Sequence, residues 1–179
     1  MRLRITKEID YIYCPTCKNK LTYHNFDKQN VLACNLCSFT FWNNPQPVVS
    51  ALIEINGKVL LIKRKGQTYN GFWALPGGII NSFEEPSQSI KREVKEECGL
   101  TVTDLDLLDA YLIIYAPNGL NKKPSHTSID LIYKCGIKEK SIKKFTSNEV
   151  SKVALFNKET LPENIAFKHR EMIYKHYLY

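Results

Sequence analysis

Residues 78–100 have the sequence GIINSFEEPSQSIKREVKEECGL, in which a glycine-led loop runs into a strongly charged segment. The spacing predicts a helix from Pro86 to Cys98. Proline is favoured at the first position of a helix and glycine just past its end, where Gly99 stands. Apolar residues recur through the segment at helical spacing, so one side of this helix should face a core.

Three glutamates of this helix share one face. Glu93 precedes Glu96 by three residues and Glu97 by four, so their carboxylates should lie close together. Like charges at this spacing destabilise a helix by ~0.2–0.5 kcal/mol per exposed pair, and a divalent cation would turn the repulsion into attraction. The alternative is a solvated acidic face, partly neutralised by basic neighbours. Glu84 and the Gly77-Gly78 loop favour a metal site, because they add an acid and exposed backbone suited to phosphate.

The segment resembles the Nudix box. That pattern is Gly, five residues, Glu, seven residues, then Arg-Glu-apolar-any-Glu-Glu-any-Gly-apolar, and every specified position matches from Gly78 to Leu100. The resemblance implies an α/β fold, an α/β/α sandwich around a mixed sheet. It also implies an enzyme that hydrolyses a nucleoside diphosphate linked to another moiety. Asn81 and Phe83 stand where many relatives have an acid and a glycine, which implies a different loop shape.

The resemblance assigns roles to the residues of the box. The implied ligands of Mg²⁺ or Mn²⁺ are Glu93, Glu96, Glu97 and a backbone carbonyl near Gly77 or Gly78. Arg92 would orient the carboxylates, and Glu84 would hold the loop. Bound metal polarises phosphoryl oxygens and lowers the pKa of water, which then attacks phosphorus.

Four residues outside the box are further candidates for catalysis or substrate binding. Glu149 precedes the last predicted strand and would be a general base or a metal ligand, or else a surface acid. Arg64 ends a predicted strand and could meet a phosphate, and Phe72 could stack on a base, although either could be a core or surface residue. Pro117 lies close to where ADP-ribose hydrolases tend to carry a proline, and a simple turn is the alternative.

A second motif lies near the N-terminus. Cys14 and Cys17 form one Cys-x2-Cys pair and Cys34 and Cys37 a second, separated by sixteen residues. This is the pattern of a structural zinc site, and four thiolates leave no position open for catalysis. The prolines and asparagines of 42–47 mark a connector. The predicted domains are therefore a zinc ribbon over 1–45 and a Nudix domain over 46–179.

Composition sets broad limits. Hydrophobic residues make up 44% and charged residues 24%, and no apolar run approaches the ~20 residues of a membrane helix. No secretory signal pattern is present, so a cytoplasmic protein without a membrane partner is expected. The net charge of +7 suits an anionic partner, either a nucleotide or nucleic acid. Many Nudix relatives dimerise, so a homodimer is possible.

The residues on either side of the box narrow the choice of substrate. A zinc ribbon before a Nudix domain resembles the NADH diphosphatases and a group linked to ADP-ribose and FAD. The Ser-Gln-Pro-Trp-Pro-Phe-Pro hallmark of the first group is missing after the box, and Asn43-Asn-Pro45 resembles the connector of the second. ADP-ribose is therefore favoured. The alternatives are an NADH, FAD or nucleoside triphosphate pyrophosphatase and, from another class, a nucleotide-sensing regulator that binds nucleic acid.

Overall fold

The computed structural model of the protein describes residues 11–66, 68–115 and 126–177. By its contacts the chain divides into two units, Met1–Pro45 and Gln46–Tyr179. Pro117 lies outside the described residues, so its predicted role has no structural counterpart. Among the described residues, no helix is both long and apolar enough to cross a membrane.

The first unit is a small antiparallel sheet. Strand β1 (Leu21–Phe26) pairs with β2 (Gln29–Cys34), which pairs with the short β3 (Thr40–Phe41). The two-residue turn Asp27-Lys28 has positive φ at both positions, as the hairpin turns compatible with strand twist require. The hydrophobic cluster of the first unit contains the buried residues Cys14, Leu21, Leu32 and Cys34.

The second unit is built on a seven-stranded mixed sheet. Its strands are β4 (Gln46–Ile55), β5 (Lys58–Arg64), β6 (Trp73–Ala74), β7 (Gly77–Ile79), β8 (Val102–Tyr115), β9 (His126–Ile137) and β10 (Val150–Phe156). The order is β10-β5-β4-β9-β8, with β6 paired to β5 and β7 paired to β4. The β4–β9 pair is parallel and the other pairs are antiparallel, so the predicted mixed sheet is confirmed.

Helix α1 (Pro86–Cys98) covers one face of the sheet and helix α2 (His169–His176) covers the other. Each face has its own hydrophobic core. Alternate residues of β4 pack with Ile90 and Val94 of α1 on one face. The intervening Leu52 packs with Met172 and Ile173 of α2 on the other. Because β4 is covered on both faces, it is a nearly continuous apolar run. A helix on each side of a mixed sheet confirms the predicted sandwich.

The local signals in the sequence account for most element ends. Asn-Gly is the strongest short signal for a hairpin turn, and Asn56-Gly57 forms the β4–β5 turn with positive φ at both residues. Helix α1 spans the predicted residues, and Gly99 closes it at φ 70°. The apolar spacing over residues 164–178 predicts an amphipathic helix, and the helix observed there is shorter. It begins at His169, after Phe167 adopts a positive φ of 59° that a helix does not accept.

Candidate active site

One cavity of about 410 Å³ opens beside the Gly77-Gly78 loop of the second unit. Strands β4, β7 and β9 form its floor, and α1 supplies two glutamates at one end. The charged and polar residues that line it are Gln46, Ser50, Arg64, Thr68, Asn81, Glu93, Glu97, His126, Asp130, Glu149 and His169. Acids and a cation thus meet within one concave space.

Arg92 connects the loop to the helix. Its Nε and Nη2 donate to the two oxygens of Glu84 at 2.8 and 2.9 Å, a paired arrangement that only a planar guanidinium provides. Nη1 donates to Glu93 at 2.6 Å and to Glu96 at 3.2 Å. Nη2 also donates to the carbonyl of Ile79, at 3.1 Å. One side chain therefore positions the loop and two of the candidate ligands.

Glu84 contacts the loop backbone as well as Arg92. One of its oxygens accepts from the backbone N–H of Asn81 at 3.0 Å. Hydrogen bonding from Arg92 lowers the pKa of Glu84 to about 2, so its carboxylate stays ionised at any physiological pH. The loop is fixed by a charged pair that does not titrate during function.

Glu93 and Glu97 are buried, with relative exposures of 9% and 5%. Burial raises the pKa of Glu97 to about 8, although the backbone N–H of Gly77 donates to its Oε2 at 2.8 Å. Burial also raises the pKa of Glu93, against the lowering effect of Arg92. Arg92 and the Gly77 N–H offset only part of the cost of burying these two charges, so a bound cation would stabilise both carboxylates further.

Gly77 and Gly78 are required because the loop backbone passes too close to neighbouring atoms to leave room for a side chain. A Cβ on Gly77 would lie 2.0 Å from the carbonyl oxygen of Val49, and φ there is 154°. A Cβ on Gly78 would lie 2.5 Å from Glu93 Oε1. The loop backbone therefore passes directly against the candidate ligand, leaving its peptide groups within reach of a bound phosphate.

Glu96 and Glu149 lie at the outer side of this site. The Glu96 side chain is 59% exposed. Glu149 lines the main cavity and also a neighbouring one of about 280 Å³ that it shares with Arg92, Glu93, Glu96 and Glu97. The predicted base candidate is thus brought to the box glutamates from a distant part of the chain. The four cysteine Sγ atoms of the first unit lie within 4.8 Å of one another, and among the described residues no group of three carboxylates meets that limit.

Of the other predicted substrate contacts, one lines the cavity and one does not. Arg64 lines the cavity, with its guanidinium 5.1 Å from the centre of the Phe167 ring. Phe72 is not among the lining residues and packs edge-on against Tyr69, with ring centres 5.5 Å apart. Sequence reasoning missed Ser50, Asp130 and His169, which line the cavity although they are nearly fully buried. Ser50 and Asp130 could have been noticed as polar residues inside apolar strands, whereas His169, the first residue of α2, had no comparable signal in the sequence.

In the first unit, the four cysteines of the two Cys-x2-Cys pairs come together. Their Sγ atoms all lie within 4.8 Å of one another, with Cys14–Cys37 at 3.6 Å and Cys17–Cys34 at 3.4 Å. The backbone N–H of Leu36 donates to Cys34 Sγ at 3.4 Å, and this bond is the main cause that lowers the pKa of Cys34 to about 6. A compact group of four sulfurs with a stabilised thiolate suits a tetrahedral soft metal such as zinc.

The family model described as the NUDIX domain matches residues 44–176. The chain belongs to the NUDIX family. This Nudix hydrolase is 28% identical to an ADP-ribose pyrophosphatase of Methanocaldococcus jannaschii, over 83% of this chain and 82% of the relative. It is also similar to the crystal structure of a MutT NUDIX hydrolase from Burkholderia pseudomallei (25% identity, 74% of this chain, 98% of that chain, TM-score 0.64).

A crystal structure of a NUDIX hydrolase from Nitrosomonas europaea shares the fold over 92% of each chain, at 24% identity and a TM-score of 0.64. The box of this Nudix hydrolase therefore occupies the loop and helix that the resemblance implied, on a sheet shared with other family members.

The Arg92 contacts make a direct prediction. Arg92→Lys keeps the charge but cannot reproduce the paired bonds to Glu84 together with those to Glu93 and Glu96. We expect Mg²⁺-dependent hydrolysis to fall about ten- to hundredfold, the usual effect of losing a group that orients metal ligands. Steady-state kinetics would be compared with Arg170→Lys, since Arg170 donates to the carbonyl of Pro162 and does not line the cavity. Equal turnover by wild type and Arg92→Lys would contradict the positioning role.

Proposed function

We propose that this Nudix hydrolase splits the phosphoric anhydride of nucleoside diphosphates linked to a second moiety, with ADP-ribose as the favoured substrate. The observation that carries the proposal is the buried pair Glu93 and Glu97, set against the glycine loop at one end of the cavity. The likeness to an ADP-ribose pyrophosphatase supports the choice of ADP-ribose.

The residues at this end suit Mg²⁺ or Mn²⁺. The donors available are carboxylate oxygens of Glu93, Glu96 and Glu97 and the peptide carbonyls of the glycine loop, which are the ligands that hard divalent cations prefer. When bound, the metal would neutralise phosphoryl charge and supply water of lowered pKa.

The surrounding side chains have separate tasks in this proposal. Arg64 offers a positive charge to the diphosphate from the cavity wall, and the loop N–H groups approach its oxygens. Glu149, on the far side of the box glutamates, accepts the proton of the attacking water. The water oxygen bonds to phosphorus and the bridging anhydride oxygen leaves with the other half. ADP-ribose would give AMP and ribose 5-phosphate.

The four-cysteine group of the first unit has a different task. If zinc is bound there, cysteine sulfurs would fill all four of its coordination positions and leave none for substrate. We therefore assign this group a structural role in a ribbon over residues 1–45. The Nudix domain over 46–179 then carries the complete hydrolytic machinery.

The test is a substrate screen with the full chain. ADP-ribose, NADH, FAD, diadenosine polyphosphates and nucleoside triphosphates are incubated with Mg²⁺, with Mn²⁺ or with EDTA, and the products are identified by mass. Reaction in ¹⁸O-water identifies the phosphorus that is attacked. We expect ADP-ribose to be cleaved fastest and EDTA to stop the reaction. No metal-dependent turnover of any anhydride would refute the proposal, and a faster NADH or triphosphate reaction would refute the choice of substrate.

A further inference from the structure

Asp130 is a buried acid that the hydrolytic machinery does not use. It stands on β9, which is otherwise rich in apolar residues, and is 2% exposed. Its neighbour across the sheet is Val48 of β4, and Val48 in turn pairs with Ile79 of β7. Strands lie about 4.8 Å apart, so the carboxylate lies about two spacings, or ~10 Å, from the strand that carries the glycine loop.

One oxygen of this carboxylate is fully engaged. Ser50 Oγ donates to Oδ2 at 2.9 Å, and His169 Nε2 lies 3.3 Å from the same atom. The backbone N–H of Leu75 donates to His169 Nδ1 at 2.9 Å. Because Nδ1 is an acceptor, the ring hydrogen is on Nε2, where Asp130 Oδ2 and Ser50 Oγ both lie 3.3 Å away and can accept it. Asp130 is therefore held in one orientation by two neighbours.

The other oxygen, Oδ1, is buried and has no hydrogen-bond partner within the part of the chain that the structure describes. An unsatisfied buried acceptor costs about 1–3 kcal/mol, and more when it is charged, so a group of this kind calls for an explanation. The Asp130 side chain lines the same cavity as Glu93 and Glu97. The oxygen itself is covered, so a ligand in the cavity can bring a donor to it when the side chains beside it move aside.

The chemistry around Asp130 indicates which ligand group can donate a hydrogen bond to Oδ1. A carboxylate only accepts hydrogen bonds, so it repels phosphate and pairs with N–H or O–H groups. Beside it, the Phe167 ring lies 5.1 Å from the rings of both Tyr115 and His169. Aromatic walls of this kind suit a planar ring better than a sugar. The diphosphate end and the Asp130 end thus accept opposite parts of one nucleotide.

We propose that Asp130 Oδ1 is a specificity determinant that accepts a hydrogen bond from the exocyclic amino group of the substrate nucleobase. The inference rests on the proposed function, because it places the base at one end of a substrate whose diphosphate occupies the other. Ser50 and His169 act through Asp130 by keeping Oδ1 directed toward the base.

The experiment measures binding of nucleoside monophosphates by calorimetry in Mg²⁺, using the full chain. AMP is compared with purine riboside 5′-monophosphate, which lacks only the amino group, and with 2′-deoxy-AMP, which lacks only one ribose hydroxyl. We expect wild type to bind AMP about tenfold more tightly than the purine analogue, the effect of one hydrogen bond to a charged acceptor. In Asp130→Asn, the amide oxygen can still face Ser50 and His169, which directs the amide NH₂ toward the ligand. The preference for AMP should then be lost.

The matched control is Asp106→Asn, which removes an exposed carboxylate that does not line the cavity and should leave the AMP preference unchanged. Equal binding of AMP and the purine analogue by wild type would overturn the inference, and this test does not depend on a variant folding. An unchanged preference in Asp130→Asn would show that the acid only supports the fold. Loss of discrimination against 2′-deoxy-AMP alone would assign the donor to the ribose instead. Because hydrolysis is assayed separately, failure of the base preference is distinct from failure of the proposed function.

Discussion

Hydrolysis by Glu97→Gln is expected to be about a thousandfold slower than by wild type in saturating Mg²⁺. Glutamine keeps an oxygen that can accept from the Gly77 N–H, so the loop keeps its hydrogen bond. The variant loses the negative charge at the buried end of the cavity, and with it affinity for the metal. Steady-state kinetics and metal titration would be compared with Glu54→Gln, which removes an exposed carboxylate from β4. Normal turnover by Glu97→Gln would refute the metal site.

Although Glu97→Gln should slow hydrolysis, it should make the stability of the metal-free protein less sensitive to rising pH. Burial holds the pKa of Glu97 at about 8, above its value of about 4.3 in an unfolded chain. The native state therefore binds more protons than the unfolded state in this window, and metal-free stability falls as pH rises from about 4 toward 8. Glu97→Gln removes this contribution. In EDTA, its Tm should decline less than that of wild type between pH 5 and pH 8, and an equal decline would show that Glu97 ionises freely.

Removal of zinc should unfold the first unit while leaving the second folded. The small unit buries only a few apolar side chains beside its cysteines, so metal binding would supply most of its folding free energy. Cys34→Ser should lose about one equivalent of zinc per chain. Backbone amides of β1 and β2 should then exchange rapidly with solvent, as measured by hydrogen exchange.

The control for this experiment is Cys98→Ala, which removes a buried thiol of the second unit and should leave the zinc content unchanged. Amides of β4 and β9 should remain protected in Cys34→Ser, because the described residues that pack in their core belong to the second unit. Retention of zinc and of protected β1 and β2 amides in Cys34→Ser would contradict a four-cysteine site.

The sequence predicted the features that depend on local spacing. Helix α1, its Gly99 end and the Asn56-Gly57 turn follow from rules that act over a few residues, and the box pattern implied the sandwich. The resemblance implied that Arg92 orients the carboxylates and that Glu84 holds the loop, whereas the direct pairing of these two side chains is seen only in the structure.

Features that depend on distant segments were harder to foresee. Asp130 and His169 are 39 residues apart and meet only because α2 packs against the sheet. Phe72 packs on Tyr69 and is not among the residues that line the cavity, so its role in stacking on a base stays a prediction. Helix α2 is shorter than its apolar pattern suggested, because periodicity does not register the positive φ of Phe167.

The position of β4 between β7 and β9 has a consequence for how substrate preference can change. Hydrolysis is assigned to the loop on one side of β4, and base recognition to a side chain on the other side. Substitutions on β9 can therefore alter which nucleotide is chosen without moving the glutamates that act on the diphosphate. A search for new nucleotide preferences would therefore begin with variant libraries at Asp130 and its β9 neighbours.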